Sequence, residues 1–151
     1  MMKIHLFTLN ASHAHTALGI RCLRDALQAA GYVATCSEAT PKDHTNAVLA
    51  RLCAEQAAIY GFSCYIWNIR HVRELVRELR KVLPQVPIWL GGPEASYDAK
   101  GLLEHYPEVT GVLIGEGEES FYELCRYYDG TLEDLSEVKG LVYREGESLK
   151  E

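Results

Sequence analysis

The sequence predicts a doubly wound α/β domain. Three observations point there. Short apolar runs alternate with helical periodicities along most of the chain. The run over 57–62 is apolar without alternation, as a strand covered on both faces should be. Glycine and small hydroxyl residues cluster where strands hand over to helices. At 151 residues the chain suits one domain with a proper core.

The elements follow in order. Residues 4–9 form a first strand. Residues 16–30 form a helix, with Ile20, Leu23, Leu27 and Ala30 at helical steps and Gly31 closing it. Residues 32–36 form a second strand. A second helix over 41–56 turns Val48, Leu49, Leu52 and Cys53 inward. The third strand, 57–62, leads to a helix over 68–83, with Ile69, Val72, Val76, Leu79 and Leu83 on one stripe, ended by Pro84. The fourth strand spans 87–90, a short helix 99–105, the fifth strand 109–114 and a last helix 117–128, with Phe121, Leu124, Cys125 and Tyr128 inward. Five such units imply a five-stranded parallel sheet with helices on both faces, in the flavodoxin-like order 2-1-3-4-5. Residues 1–130 make this domain. Residues 131–151 read as a connection entering a hairpin at Glu145-Gly146, cut short on its way to a missing C-terminal catalytic domain.

Composition excludes several classes. The net charge of −6 offers no basic stripe for nucleic acid. No apolar run reaches the roughly 18–20 residues of a membrane span, and the start lacks the h-region of a signal peptide, so a cytoplasmic protein is expected. The five cysteines, Cys22, Cys36, Cys53, Cys64 and Cys125, contain no C-x-x-C pair. Cys22, Cys53 and Cys125 are expected as buried apolar side chains, and Trp89 as core. His5, His44, His71 and His105 carry no signal.

Ligands of open α/β sheets sit beyond the carboxyl ends of the strands. Four loops meet there. The first carries Asn10, Ser12, His13 and His15; the second Ser63, Cys64 and Tyr65; the third Gly91, Gly92, Pro93 and Glu94; the fourth Gly115, Glu116 and Gly117. Their glycines let backbone approach a flat ligand closely. Charge narrows the ligand. The Gly115-x-Gly117 turn is filled with glutamates where a pyrophosphate would sit. No P-loop occurs, and the aspartates of a phosphoacceptor are missing. His13-x-His15 lacks a third clustered ligand, so a polar contact to a ligand is preferred over a metal site. Trp67 could shield a planar ligand or pack on the surface.

Several stretches together resemble one family. Gly61-Phe62-Ser63 is similar to its G-x-S element, Gly91-Gly92-Pro93-Glu94 to its G-G-x-[EH] element, and Gly115-Glu116-Gly117-Glu118-Glu119-Ser120-Phe121 to its G-E-G-E-x-x-F element. Leu18-Gly19-Ile20 resembles its helix opening, and Gly140 to Gly146 its G-x-x-x-R-x-G connection. The family is the cobalamin-binding domain of cobalamin-dependent radical S-adenosylmethionine enzymes. The resemblance implies a cobalamin held at the carboxyl edge, with its nucleotide tail near Ser63, Gly91 and Gly92. The Ser63 hydroxyl would then meet the benzimidazole nitrogen. The Asp-x-His-x-x-Gly motif of cobalamin mutases is absent, which implies cobalt without a protein histidine ligand. The family's C-x-x-x-C-x-x-C is also absent, so an iron–sulfur cluster and S-adenosylmethionine would belong to the C-terminal part, and this chain alone would not be catalytic. Two alternatives stay open: a docking domain of the same fold without cofactor, its edge closed by Tyr65, Trp67 and Tyr97, and a flavin-binding carrier.

Overall fold

The structure is a computed structural model that describes residues 2–10, 18–65, 67–115 and 117–151. A single mixed sheet runs through the molecule in the order β2-β1-β3-β4-β5-β6-β7. Its strands are β1 (Lys3–Leu9), β2 (Val33–Ala39), β3 (Ile59–Ser63), β4 (Ile88–Gly91), β5 (Gly111–Leu113), β6 (Leu141–Glu145) and β7 (Ser148–Lys150). The first five pair in parallel in the expected order. Between them lie α1 (Leu18–Ala29), α2 (Thr45–Ala54), α3 (Ile69–Val82), α4 (Pro93–Tyr97) and α5 (Ala99–His105). Helix α6 (Glu118–Tyr128) follows β5.

The sheet has seven strands rather than five. The expected hairpin closes within the chain: Glu145 pairs with Ser148 around Gly146, and β6 adds antiparallel to β5. Leu141, Val142 and Tyr143 are buried there, which explains their apolar character. Arg144 fastens the hairpin by donating from Nη2 to the carbonyls of Leu103 and Tyr106 at the end of α5.

The sheet divides the interior into two cores. On one face Phe7, Tyr60, Phe62, Leu90 and Val112 pack under α2, α3 and α5. On the other Ile4, Leu6, Ile59, Trp89 and Leu113 pack under α1 and α6. Helix α3 buries Val72, Leu75, Val76 and Leu79. Helix α1 ends as expected, with Gly31 at φ 97° and Tyr32 N–H donating to the Leu27 carbonyl. Trp89 is fully buried, as predicted.

Several expectations need correction. Strand β2 runs on to Ala39, three residues beyond its expected end. Helix α2 starts at Thr45 because Thr40 and Asp43 form a turn, Thr40 N–H donating to the Asp43 carboxylate at 2.7 Å. Helix α4, with Pro93 at its first turn, was not expected at all. Cys22 is exposed and Cys53 half-buried, while Cys125 is buried and its thiol is pushed up to about 12 by burial, with Asp129 adding to the shift. Ala30 is exposed and lies past the helix end. His5 is buried, with Nδ1 2.7 Å from the Thr35 hydroxyl and Nε2 2.8 Å from that of Ser37. Among the described residues no helix is long and apolar enough to cross a membrane, and no cluster of three potential metal ligands occurs.

Candidate functional site

A cleft of about 240 Å³ opens at the carboxyl end of the sheet, on the α1/α6 face. Its floor is Leu6, Trp89 and Leu113. Its walls are Gly19, Ile20 and Leu23 of α1 and Phe121 of α6. Its lip is Ser63, Tyr65, Gly91, Gly92, Gly115 and Gly117. Gly61 and Phe62 complete the lining. No charged side chain is among these residues.

The pleat explains why these side chains meet. Thr8, Ser63 and Gly91 stand level across β1, β3 and β4, and Leu6, Gly61 and Trp89 stand level one step below. Residues that share a level in a parallel sheet project to the same face. Large Trp89 is accommodated because its neighbour on β5 is a glycine, while Gly61 on β3 makes room for Leu6 and Phe121. A β-carbon on Gly111 would lie 2.4 Å from the Trp89 ring. One on Gly61 would lie 2.9 Å from Leu6 Cδ2 and 3.0 Å from Phe121 Cε2.

The loops at the lip are held from beneath. Asn68, fully buried before α3, donates from Nδ2 toward the Leu9 carbonyl at 3.0 Å, the Ser63 carbonyl at 3.3 Å and the Thr8 hydroxyl at 3.3 Å. Its Oδ1 accepts from Tyr65 N–H at 2.7 Å. Thr8 in turn donates to the Ser63 carbonyl at 3.1 Å. One amide thus ties the ends of β1 and β3 together. Ser96 of α4 holds the end of β5, its hydroxyl donating to the Leu113 carbonyl and accepting from Gly115 N–H, both at 3.3 Å. Neither Asn68 nor Ser96 was singled out from sequence. Asn68 left one legible trace: a cap-type residue just before an apolar periodic run.

The expected site residues divide into groups. Ser63, Tyr65, Gly91, Gly92, Gly115 and Gly117 come together at the cleft. The Cys64 side chain turns to the opposite core, fully buried, and burial pushes its thiol well up, with Glu94 adding to the shift. Pro93 and Glu94 form the first turn of α4 behind the lip. Asn10 lies toward β2, donating to the Glu38 carboxylate at 2.6 Å, which also takes the Arg21 guanidinium. Ser12, His13, His15 and Glu116 lie outside the described residues. Tyr65 stacks on Trp67 with planes 3° apart and centroids 5.5 Å apart. Trp67 and Tyr97 are 46% and 89% exposed and do not close the cleft.

The glycines at the lip differ in why they are glycine. Gly92 has φ 96°, and a β-carbon there would fall 2.5 Å from the Cys64 carbonyl oxygen. The fold demands it. Gly91 and Gly19 are different: neither has a positive φ, and a β-carbon on either would meet nothing within 4 Å among the described residues. A glycine that packing does not require, lining a cleft, is what close approach of a ligand calls for.

An α/β sheet with a slot of this kind at its carboxyl edge defines a ligand-holding domain of the flavodoxin type. The sequence pattern of the B12 binding domain matches residues 4–125, and the chain belongs to that family. It is 30% identical over 88 residues to the cobalamin-dependent radical SAM methyltransferase TokK of Streptomyces tokunonensis, a match covering 58% of this chain and 13% of that protein. It is 29% identical over 132 residues to the hopanoid C-3 methylase of Methylococcus capsulatus, covering 86% of this chain and 25% of that one. The chain therefore spans a quarter or less of these curated relatives. In three dimensions it is similar to the cobalamin-dependent S-adenosylmethionine radical enzyme OxsB with aqua-cobalamin and S-adenosylmethionine bound: TM-score 0.85, 19% identity, 99% of this chain and 22% of that chain. The fold is thus the one found in a cobalamin-dependent radical enzyme.

Proposed function

We propose that this domain holds a cobalamin at the carboxyl edge of its sheet, as the corrinoid module of a longer radical S-adenosylmethionine enzyme. The observation that carries the reading is the pair Gly19 and Gly91, which line the cleft from α1 and β4 and whose missing β-carbons leave space that packing among the described residues does not use. The B12 binding family supports corrinoid over other flat ligands. The lining supports it further, since among the described residues it holds no Lys or Arg to meet a flavin phosphate monoester. Of Tyr65, Trp67 and Tyr97, which a cofactor-free docking domain would use to close its edge, Tyr65 lines the cleft while Trp67, stacked on it, and Tyr97 are exposed and outside the lining.

The chain's own groups bind and orient. Ser63 offers a hydroxyl at the lip to the nucleotide base. Gly91 and Gly92 give clearance to the tail. The apolar floor excludes water from the buried end. Cobalt would be held without a protein histidine, because no Asp-x-His-x-x-Gly occurs in the sequence. A corrinoid bound here would supply cobalt's redox and group-carrying chemistry. The iron–sulfur cluster and the S-adenosylmethionine site would come from the rest of the longer protein, whose substrate and localisation, expected to be cytoplasmic, belong to the same proposal.

Titration with hydroxocobalamin followed by gel filtration tests the reading. The expected result is co-elution, with a visible spectrum lacking histidine ligation. A Gly91→Val variant should elute colourless. Equal retention by both proteins would remove the cleft from the site.

A further inference from the structure

We infer that the outer face of α3 is a docking surface for an acidic protein segment, its carboxylates taken by Arg70, Arg73 and Arg77. The domain is acidic, yet α3 holds five of its fifteen Lys and Arg residues and two of its twenty-one Asp and Glu residues. Two of the five cations are used by the fold. Arg80 donates to the carbonyls of Leu83, Val86 and Glu108, and Lys81 pairs with Glu78 at 3.1 Å.

The other three share one side of the helix, because residues three and four apart are neighbours there. Val72, Leu75, Val76 and Leu79 are buried on the opposite side. Arg77 reaches Glu108 at 3.8 Å, and its side chain stays 47% exposed. Arg70 is exposed and makes no ion pair or side-chain hydrogen bond among the described residues. Arg73 lies over the Tyr106 ring at 4.4 Å, and its Nε is buried with no acceptor among the described residues. Glu74, the carboxylate next to Arg73 in sequence, lines a recess toward α2 with Thr40, Asp43 and His71.

Within the chain these charges are poorly offset. Arg70 sits in the first turn of α3, where the helix dipole disfavours a cation and no acidic residue stands. Arg73 and Arg77, four residues apart, repel each other. Carboxylates from a partner relieve both. Arg73 is the best prepared of the three: Tyr106 holds its guanidinium in place, and the planar fork can grip a carboxylate through two hydrogen bonds. Arg70 and Arg77 stand about 10 Å apart along the axis, the spacing of carboxylates at positions i and i+7 of a partner helix. A nucleic-acid strand fits less well, since its phosphates would run on past Glu74 and Glu78 of the same helix.

Fluorescence anisotropy with a labelled helical peptide carrying Glu at positions i, i+3 and i+7 tests the inference, with the Gln-substituted peptide as control. The expected result is binding of the Glu peptide alone, weakening as salt is added. An Arg70→Gln/Arg73→Gln variant should bind it at least about 10-fold more weakly. Unchanged binding by that variant, or no binding of the Glu peptide to the wild type at low salt, would overturn the inference. Tighter binding of a single-stranded oligonucleotide than of the Glu peptide would overturn the choice of a protein segment. Unfolding in urea gives a second readout. Arg70→Gln should unfold at the same urea concentration as the wild type or a higher one, because the cation works against the helix. A clearly lower midpoint would make Arg70 a structural residue and overturn its assignment to a partner.

Discussion

The backbone of Gly92 is pressed against that of Cys64, so that a β-carbon on Gly92 would stand 2.5 Å from the Cys64 carbonyl oxygen and 2.9 Å from its nitrogen. A β-carbon on its neighbour Gly91 would meet nothing within 4 Å among the described residues. Adjacent glycines in one turn therefore differ: the fold requires glycine at 92, and packing among the described residues does not require it at 91.

Substituting them separates the two. Gly92→Ala combines a positive φ with a backbone clash and should destabilise by at least about 2 kcal/mol. Gly91→Ala should change stability by no more than about 1 kcal/mol, because the strand accepts a side chain there. Urea unfolding measures both. Comparable destabilisation would mean that Gly91 is also structural.

Asn68 fastens β1 to β3 from a fully buried position. Asn68→Ala strands the Leu9 carbonyl and the Tyr65 N–H, at a cost on the order of 3 kcal/mol. Asn68→Asp should be no better, since a carboxylate cannot donate to two carbonyls. Chemical unfolding of the two variants checks this; a stable Asn68→Asp would contradict the assigned hydrogen bonds.

Ser63 is the hydroxyl level with Thr8 and Gly91 at the lip. Ser63→Leu should sharply weaken cobalamin binding by filling the cleft, whereas Ser63→Ala should cost about 1 kcal/mol of binding, the worth of one hydrogen bond. Unchanged affinity in the leucine variant would take Ser63 out of the site.

The buried His5 makes stability depend on pH. Burial holds its imidazole below its ordinary 6.5, against the opposing pull of Glu55. The unfolded chain therefore binds the proton more readily than the folded one, and stability is lost as pH falls from above 6.5 toward the folded value. Burial pushes the Glu55 carboxyl up, but Lys3, Thr35 and His5 outweigh it and hold it below 4.5. Its contribution is lost on further acidification, in the same direction. Denaturation midpoints measured from pH 7.5 to 5.5 should fall, and less steeply in His5→Gln. A flat profile in the wild type would contradict this.

Much of the architecture is readable in the sequence because the signals are local. Buried parallel strands such as Ile59–Ser63 run apolar, and α3 keeps its apolar stripe at helical spacing. The same wheel could have placed Cys22 correctly: it lies two residues from buried Ile20, about 200° around the helix, and so faces water. What was not readable depends on distant partners. Strand β6 needs β5, which lies some thirty residues earlier, to declare itself part of the sheet. The five residues of α4 are too few to show a period. The burial of His5 comes from hydroxyls on β2, thirty residues on. The lip glycines could be picked out from the sequence, but the apolar floor of Leu6, Trp89 and Leu113 reads only as core until the sheet brings it under the lip.

The central claim is that the cleft between α1, α6 and the carboxyl ends of β3 and β4 receives a cobalamin. A crystal structure of the protein grown with hydroxocobalamin tests it most directly. The account predicts the nucleotide tail beside Gly91, the base against Trp89 and the Ser63 hydroxyl within hydrogen-bond distance of its free nitrogen. A corrinoid seated elsewhere, or none in a protein saturated with it, would contradict the account.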